Sequence, residues 1–335
     1  MKRFLILPLF CSLLLGEEPA EIKEGHSHQG HAFNEGPRQA SPLIGNTGEV
    51  HLPITTSWDK GQAYFDQGIG QLHGFWYYEA ERSFRQILAQ DPKCAMAYWG
   101  LAMSNWENEK RAKPFIEKAA KLLETEKIAA HETAYIKAQA NYYDGEPKKV
   151  EDRRKELMRD LENLVLNYPD DIEAKAFLVC RHWQMNRKGI SIASYAGLDA
   201  ILKQIFAKSP NHPAHHFCIH LWDNRDAKQA SASAARLGIT APSIAHMWHM
   251  GGHIYAKLNR HADAAWQQEA SARVDHAHMM RDRVMPYKIH NYGHNNEWTC
   301  RSLQHVGRTR EALALAQNML AQPRHPKDNR LDRGS

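Results

Sequence analysis

Small and aromatic residues recur at fixed places in a unit of 34 residues, and this spacing constrains the fold more tightly than any other feature. Tyr64, Gly68, Ala80, Phe84 and Pro92 occupy the fourth, eighth, twentieth, twenty-fourth and thirty-second places of such a unit. The physical content is a pair of antiparallel helices: small residues let the two backbones approach, aromatics fill the gaps, and proline cannot continue the second helix. Ala95 to Asn105, with Tyr98, Leu101 and Ala102, opens a second unit in register.

Later units are more degenerate. A helix is predicted over 172–182 after the turn Tyr168-Pro169-Asp170-Asp171. Pro213 suits the first turn of a helix carrying His216 and His220. Trp248, Gly252, Tyr255 and Ala264 mark a further unit, and Gly307, Ala312 and Ala316 the last. The stretch 110–143 reads as helical but out of register. Strand-like alternation is absent throughout, so the expectation is an all-α solenoid of about six helix pairs over 58–324.

Onto this periodicity the chain places three copies of His-x-x-x-His: His216 and His220, His249 and His253, His290 and His294. Residues four apart share one helix face, so each pair can present two imidazoles to one ligand. Twelve of the 21 histidines fall between His212 and His294, which marks local enrichment rather than a general bias. In a stacked array, equivalent positions on neighbouring units are adjacent, and the step of 33 residues from His216 to His249 makes those pairs neighbours.

The next step, 41 residues, exceeds the repeat by about two helical turns. Aligned on Gly307 and Ala312, the third unit places Glu297, rather than His290, level with His249. The expected ligand set is therefore His216, His220, His249, His253, His294 and Glu297, with His246 and His290 as outer members. Imidazoles with a carboxylate suit zinc, iron, copper or nickel. His276 and His278 are two apart, so one helix face cannot present both; Asp223, Asp275 and Asn295 are candidates for orienting the ligands.

Residues 1–16 read as a signal sequence, with Lys2 and Arg3 before an apolar run too short to span a membrane. Phe10 precedes Cys11 where lipoprotein processing requires a small residue, so export to the periplasm or exterior without lipidation is the expectation. Residues 17–57, rich in Gly, Pro, Glu and His, read as a flexible tether or a strap across the folded body, and 325–335 as a tail. Cys94, Cys180, Cys218 and Cys300 are widely spaced and form no disulfide framework. A formal charge of +5, interleaved with acidic residues, gives no basis for a nucleic-acid partner. There is no Gly-rich phosphate loop after a strand and no G-x-S-x-G elbow, and His249-Met250-Gly251-Gly252-His253 lacks the glutamate of a zinc-protease helix.

The chain resembles exported bacterial tetratricopeptide-repeat proteins with a histidine-rich C-terminal part. The resemblance rests on FDQG…GFW-x-x-EA-x-x-SF (Phe65 to Phe84), AMAYWG (Ala95 to Gly100), HPAHH-x-x-IHLWD (His212 to Asp223), HM-x-x-HIY (His249 to Tyr255) and HN-x-x-W (His294 to Trp298). It covers nearly the whole mature chain and implies the tetratricopeptide-like helical-hairpin fold and export, but no particular activity. Where such relatives show His-Met-Pro-Ser-His or His-Met-Pro-Gly-His, this chain has Gly251 and Gly252; where some carry HN-x-H, it has Glu297.

Two functions fit these features. One is an exported binding or assembly scaffold with a protein or peptide partner in a concave, histidine-lined groove that binds a transition metal. The other is a metal-dependent enzyme of oxidoreductase type, its ligands spread over three helices.

Overall fold

The computed structural model describes residues 40–143, 149–289 and 291–324. The expected signal sequence, most of the expected tether, His290 and the tail lie outside them. The described chain is all-α: fourteen α-helices, two short 3-10 turns and, among the described residues, no strand. That is two helices more than six pairs require. None of these helices is long and apolar enough to cross a membrane.

The N-terminal helices are α1 (Gly61–His73), α2 (Tyr77–Leu88), α3 (Ala95–Ser104), α4 (Glu109–Thr125), α5 (Ala130–Tyr143), α6 (Val150–Asn167) and α7 (Ile172–Asn186). They are followed by α8 (Tyr195–Lys208), α9 (His215–Trp222), α10 (Ser231–Thr240), α11 (Ala245–Lys257), α12 (His261–Asp282), α13 (Tyr292–His305) and α14 (Thr309–Ala321). Starts are set by local chemistry where a cap is available: the Asp171 carboxylate accepts from the Ala174 N–H at the head of α7, and the Ser194 hydroxyl from the Gly197 N–H at the head of α8. The stretch 110–143 resolves into most of α4 and all of α5.

Each helix packs on the next in sequence, and α1 also meets α3, α7 meets α9, and α9 and α13 both meet α11. Small residues let neighbouring helices approach closely around a large ring. The fully buried Phe84 ring sits between two glycines, and a Cβ on Gly68 or Gly100 would lie 2.5 or 2.6 Å from it. Gly238 makes the same room for Trp248, where a Cβ would meet the indole at 2.2 Å.

Residues 40–57 run without helix along the body, bound by polar side chains rather than by a second strand. The Ile44 and Leu52 N–H groups donate to Gln67 and Asp66, and the Thr55 N–H to Glu132. The Arg82 guanidinium, itself paired with Glu79, donates to the Ala40 carbonyl. Leu52 is inserted into the core.

Candidate metal centre

Helix α9 aims His216 and His220 at the turn between α1 and α2. The His216 Nδ1–H donates to the His73 carbonyl oxygen at 2.6 Å, which leaves Nε2 as its lone-pair atom. His220 stacks on Trp183 at 4.0 Å, and its Nε2 is buried without a hydrogen-bond partner. His246, from the first turn of α11, completes a trio: its ring lies 4.9 Å from His216 and 6.5 Å from His220. One nitrogen from each ring falls within 4.8 Å of the others.

Two further histidines of α11 begin a second trio. His249 Nδ1–H donates to Gln268 Oε1 at 2.7 Å, while the Gln268 amide N–H donates back to the His249 carbonyl at 3.1 Å. This double contact fixes the tautomer, so His249 Nε2 carries the lone pair. It lies 2.7 Å from His253 Nε2. His294, in the first turn of α13, closes the group with its ring 4.9 Å from His249 and 6.1 Å from His253. These three also bring ligand atoms within 4.8 Å of one another.

The Gly251-Gly252 pair has a physical reason here. A Cβ on Gly252 would stand 2.3 Å from the Gln268 amide nitrogen, so only glycine leaves room for the side chain that orients His249.

The two trios abut. His246, His249 and His253 form a stripe at i, i+3 and i+7 on α11, and the His246 and His249 rings are 5.7 Å apart. Because α11 lies against both α9 and α13, one end of the stripe completes the α9 pair and the other is completed by α13.

A third group, His73, Glu173 and His212, is fully buried and has ligand-like distances. Its hydrogen bonds favour a different role. His212 Nδ1 accepts from the Ala214 N–H, so its proton is on Nε2 and is donated to Glu173 Oε1 at 3.1 Å. His73 Nε2 meets the other carboxylate oxygen at 2.6 Å. Burial opposes ionisation of Glu173, but His212 and His73 outweigh it and hold the carboxyl well below its usual range. The group clamps the end of α1, whose His73 carbonyl orients His216.

Burial, then the neighbouring imidazoles, drives His220 and His249 well below the ordinary histidine pKa, and burial takes His253 down to about 4 against the opposing pull of Asp223. These three are neutral at pH 7, the form that binds metal. With no thiolate or carboxylate in either trio, the donor sets suit zinc, copper, nickel or iron rather than magnesium or calcium.

All five histidines of the expected ligand set fall in these trios, and His246, expected as an outer member, is internal to the first. Glu297 is not brought to them: it is exposed, and its carboxylate accepts from Arg301 at 2.6 Å. The register treated Glu297 as level with His249, but it is Trp298, one residue on, whose ring lies 4.0 Å from His253. From His294, a step of four residues turns about 40° round the helix and a step of three about 60° the other way, so Trp298 lies nearer the histidine face.

Asp275 and Asn295 pair with each other at 2.8 Å, and Asp223 with Lys257. His278 is buried, hydrogen-bonded to Asp282 and in T-shaped contact with Trp76, whereas His276 is exposed. Sequence reasoning missed Phe75, Trp183 and Gln268, which line or orient the site. The Gly-Phe-Trp run and the glycine at 252 were the available signals.

A cavity of about 530 Å³ opens onto the pair, lined by His220, His246 and His294 and by Phe75, Tyr77, Trp106 and Trp183. No protein-family model matches the chain, and no curated protein matches it significantly.

Proposed function

We propose that this chain is an exported, tetratricopeptide-like repeat protein whose C-terminal helices hold two transition-metal ions side by side, one in each three-histidine group, for metal-dependent chemistry of oxidoreductase type on a small molecule. The observation that carries the reading is the α11 stripe, which divides its three histidines between two flanking helices and so makes two trios from one surface. Three protein ligands per ion leave coordination positions open, as sites that act on a ligand require. A pair of copper or iron ions held in this way would supply electron-transfer chemistry; the chain's own part is to hold the imidazoles neutral, fix the tautomers of His249 and His216 through Gln268 and the His73 carbonyl, and wall the site with aromatic rings.

The repeat architecture is supported by the close Gly68, Phe84 and Gly100 packing and by the contacts between alternate helices. Export rests on the leader-like residues 1–16. A scaffold with a peptide partner in the groove is the weaker reading, because the cavity is walled by the same rings that surround the trios.

Metal analysis of protein purified without an affinity tag tests the proposal. About two equivalents of copper, zinc or iron after reconstitution are expected, falling to about one in either His246→Ala or His294→Ala. Less than about 0.1 equivalent of every transition metal, before and after reconstitution, would sink it.

A further inference from the structure

The cavity beside the trios has a chemical character of its own. Phe75 stacks on Tyr77 and on Trp183, each at 5.7 Å with planes within 20°, so the three rings form one continuous aromatic lining. His220, His246, His294 and Asn291 also line it. Its volume, about 530 Å³, suits a small molecule rather than a folded partner.

Two lining residues have left-handed backbone. Phe75 has φ 54° and Asn291 φ 60°. Left-handed φ is tolerated by asparagine but rare for a bulky aromatic, and such strain persists where the surroundings over-determine it. At Phe75 those surroundings are His216 at 4.4 Å, His220 at 5.4 Å and Trp183. The strained residue therefore joins the aromatic lining of the cavity to the first trio.

Charge selects among aromatic ligands. Of the charged residues at the cavity, Lys188 is paired with Glu107 at 3.2 Å. Arg187 lies over Trp183 at 5.3 Å, and no carboxylate among the described residues pairs with it. Neither trio contributes a negative charge, so divalent ions bound there would add to the positive charge at the cavity.

From this aromatic lining and this charge balance we infer that the cavity binds a small planar aromatic carboxylate, its ring packed against Trp183, Phe75 and Tyr77 and its carboxylate at Arg187. The ligand class rests on the same site as the proposed metal pair, but the walls and Arg187 exist without metal, so the two are separable.

The test is calorimetric titration of 2-naphthoate into metal-free and copper-loaded protein, with metal content measured on the same samples. Saturable one-to-one binding is expected, weakened about tenfold or more in Arg187→Gln and in Trp183→Leu. 2-Naphthylmethylamine and cyclohexaneacetate should bind at least about tenfold more weakly than 2-naphthoate, since each lacks one of the two features. Arg187 is exposed, so its substitution leaves folding intact, which thermal melting verifies. Absence of saturable 2-naphthoate binding to both forms, or unchanged binding in Arg187→Gln, overturns the inference. Metal bound without naphthoate refutes this ligand and leaves the metal pair standing; naphthoate bound by protein that takes no metal refutes the pair and leaves the pocket.

Discussion

The ring of His246 lies 5.7 Å from that of His249, and across this gap two three-histidine groups become one site. Both residues belong to α11, three positions apart, yet they serve different neighbours: His246 completes the pair on α9, and His249 with His253 is completed by His294 on α13.

Gln268 tests the importance of tautomer control. Gln268→Ala removes the acceptor of the His249 Nδ1 proton and the donor to its carbonyl, and should weaken metal binding about 10–100-fold while the fold survives. Competition with a calibrated chelator measures the change.

Gly252→Ala places a methyl 2.3 Å from the same amide. Gln268 must then shift, with an expected loss of about 1–3 kcal/mol of stability together with weaker metal binding. Denaturant unfolding and the chelator assay should move together; a variant with unchanged metal affinity would show that Gln268 orients nothing.

Acid should destabilise the metal-free protein through its buried histidines. The folded pKa of His253 is depressed to about 4, chiefly by burial, from an ordinary value near 6.5. The unfolded chain therefore takes up protons first as pH falls. The stabilisation is complete above about pH 6.5 and is lost progressively down to about 4, by an amount on the order of 1–3 kcal/mol for such a group. His253→Ala should flatten the stability profile over that window, as followed by urea midpoints between pH 4 and 7.

Glu297→Gln separates the sequence expectation from the structure. With its carboxylate at Arg301, Glu297 should be dispensable, and metal content should match that of the unaltered protein. Loss of an ion in this variant would return Glu297 to the ligand set.

Phe84→Ala tests the helix packing apart from the site. Emptying the space between Gly68 and Gly100 should cost about 3–5 kcal/mol in denaturant unfolding. A loss under about 1 kcal/mol would mean that the glycines are not there to accommodate the ring.

The helical nature of the chain and the crowding at Phe84 were legible because periodicity and small residues report directly on local packing. The histidine pairs were legible for the same reason, as helix faces. What spacing could not give was how neighbouring helices are rotated about their axes. A register counted along the chain set Glu297 beside His249, whereas the rotation of α13 presents His294 and Trp298 instead. His246 was underweighted because no partner stands four residues away, and its partners lie on another helix. The His73, Glu173 and His212 clamp joins residues 100 and 39 positions apart through fully buried contacts, which no local pattern encodes.

Anomalous diffraction from crystals of the copper-loaded protein tests the central claim most directly. Two copper peaks are predicted, one among His216, His220 and His246 and the other among His249, His253 and His294, each about 2.0–2.1 Å from its imidazole nitrogens. A single peak bridging the groups, a peak at His73, Glu173 and His212, or none at all would contradict it.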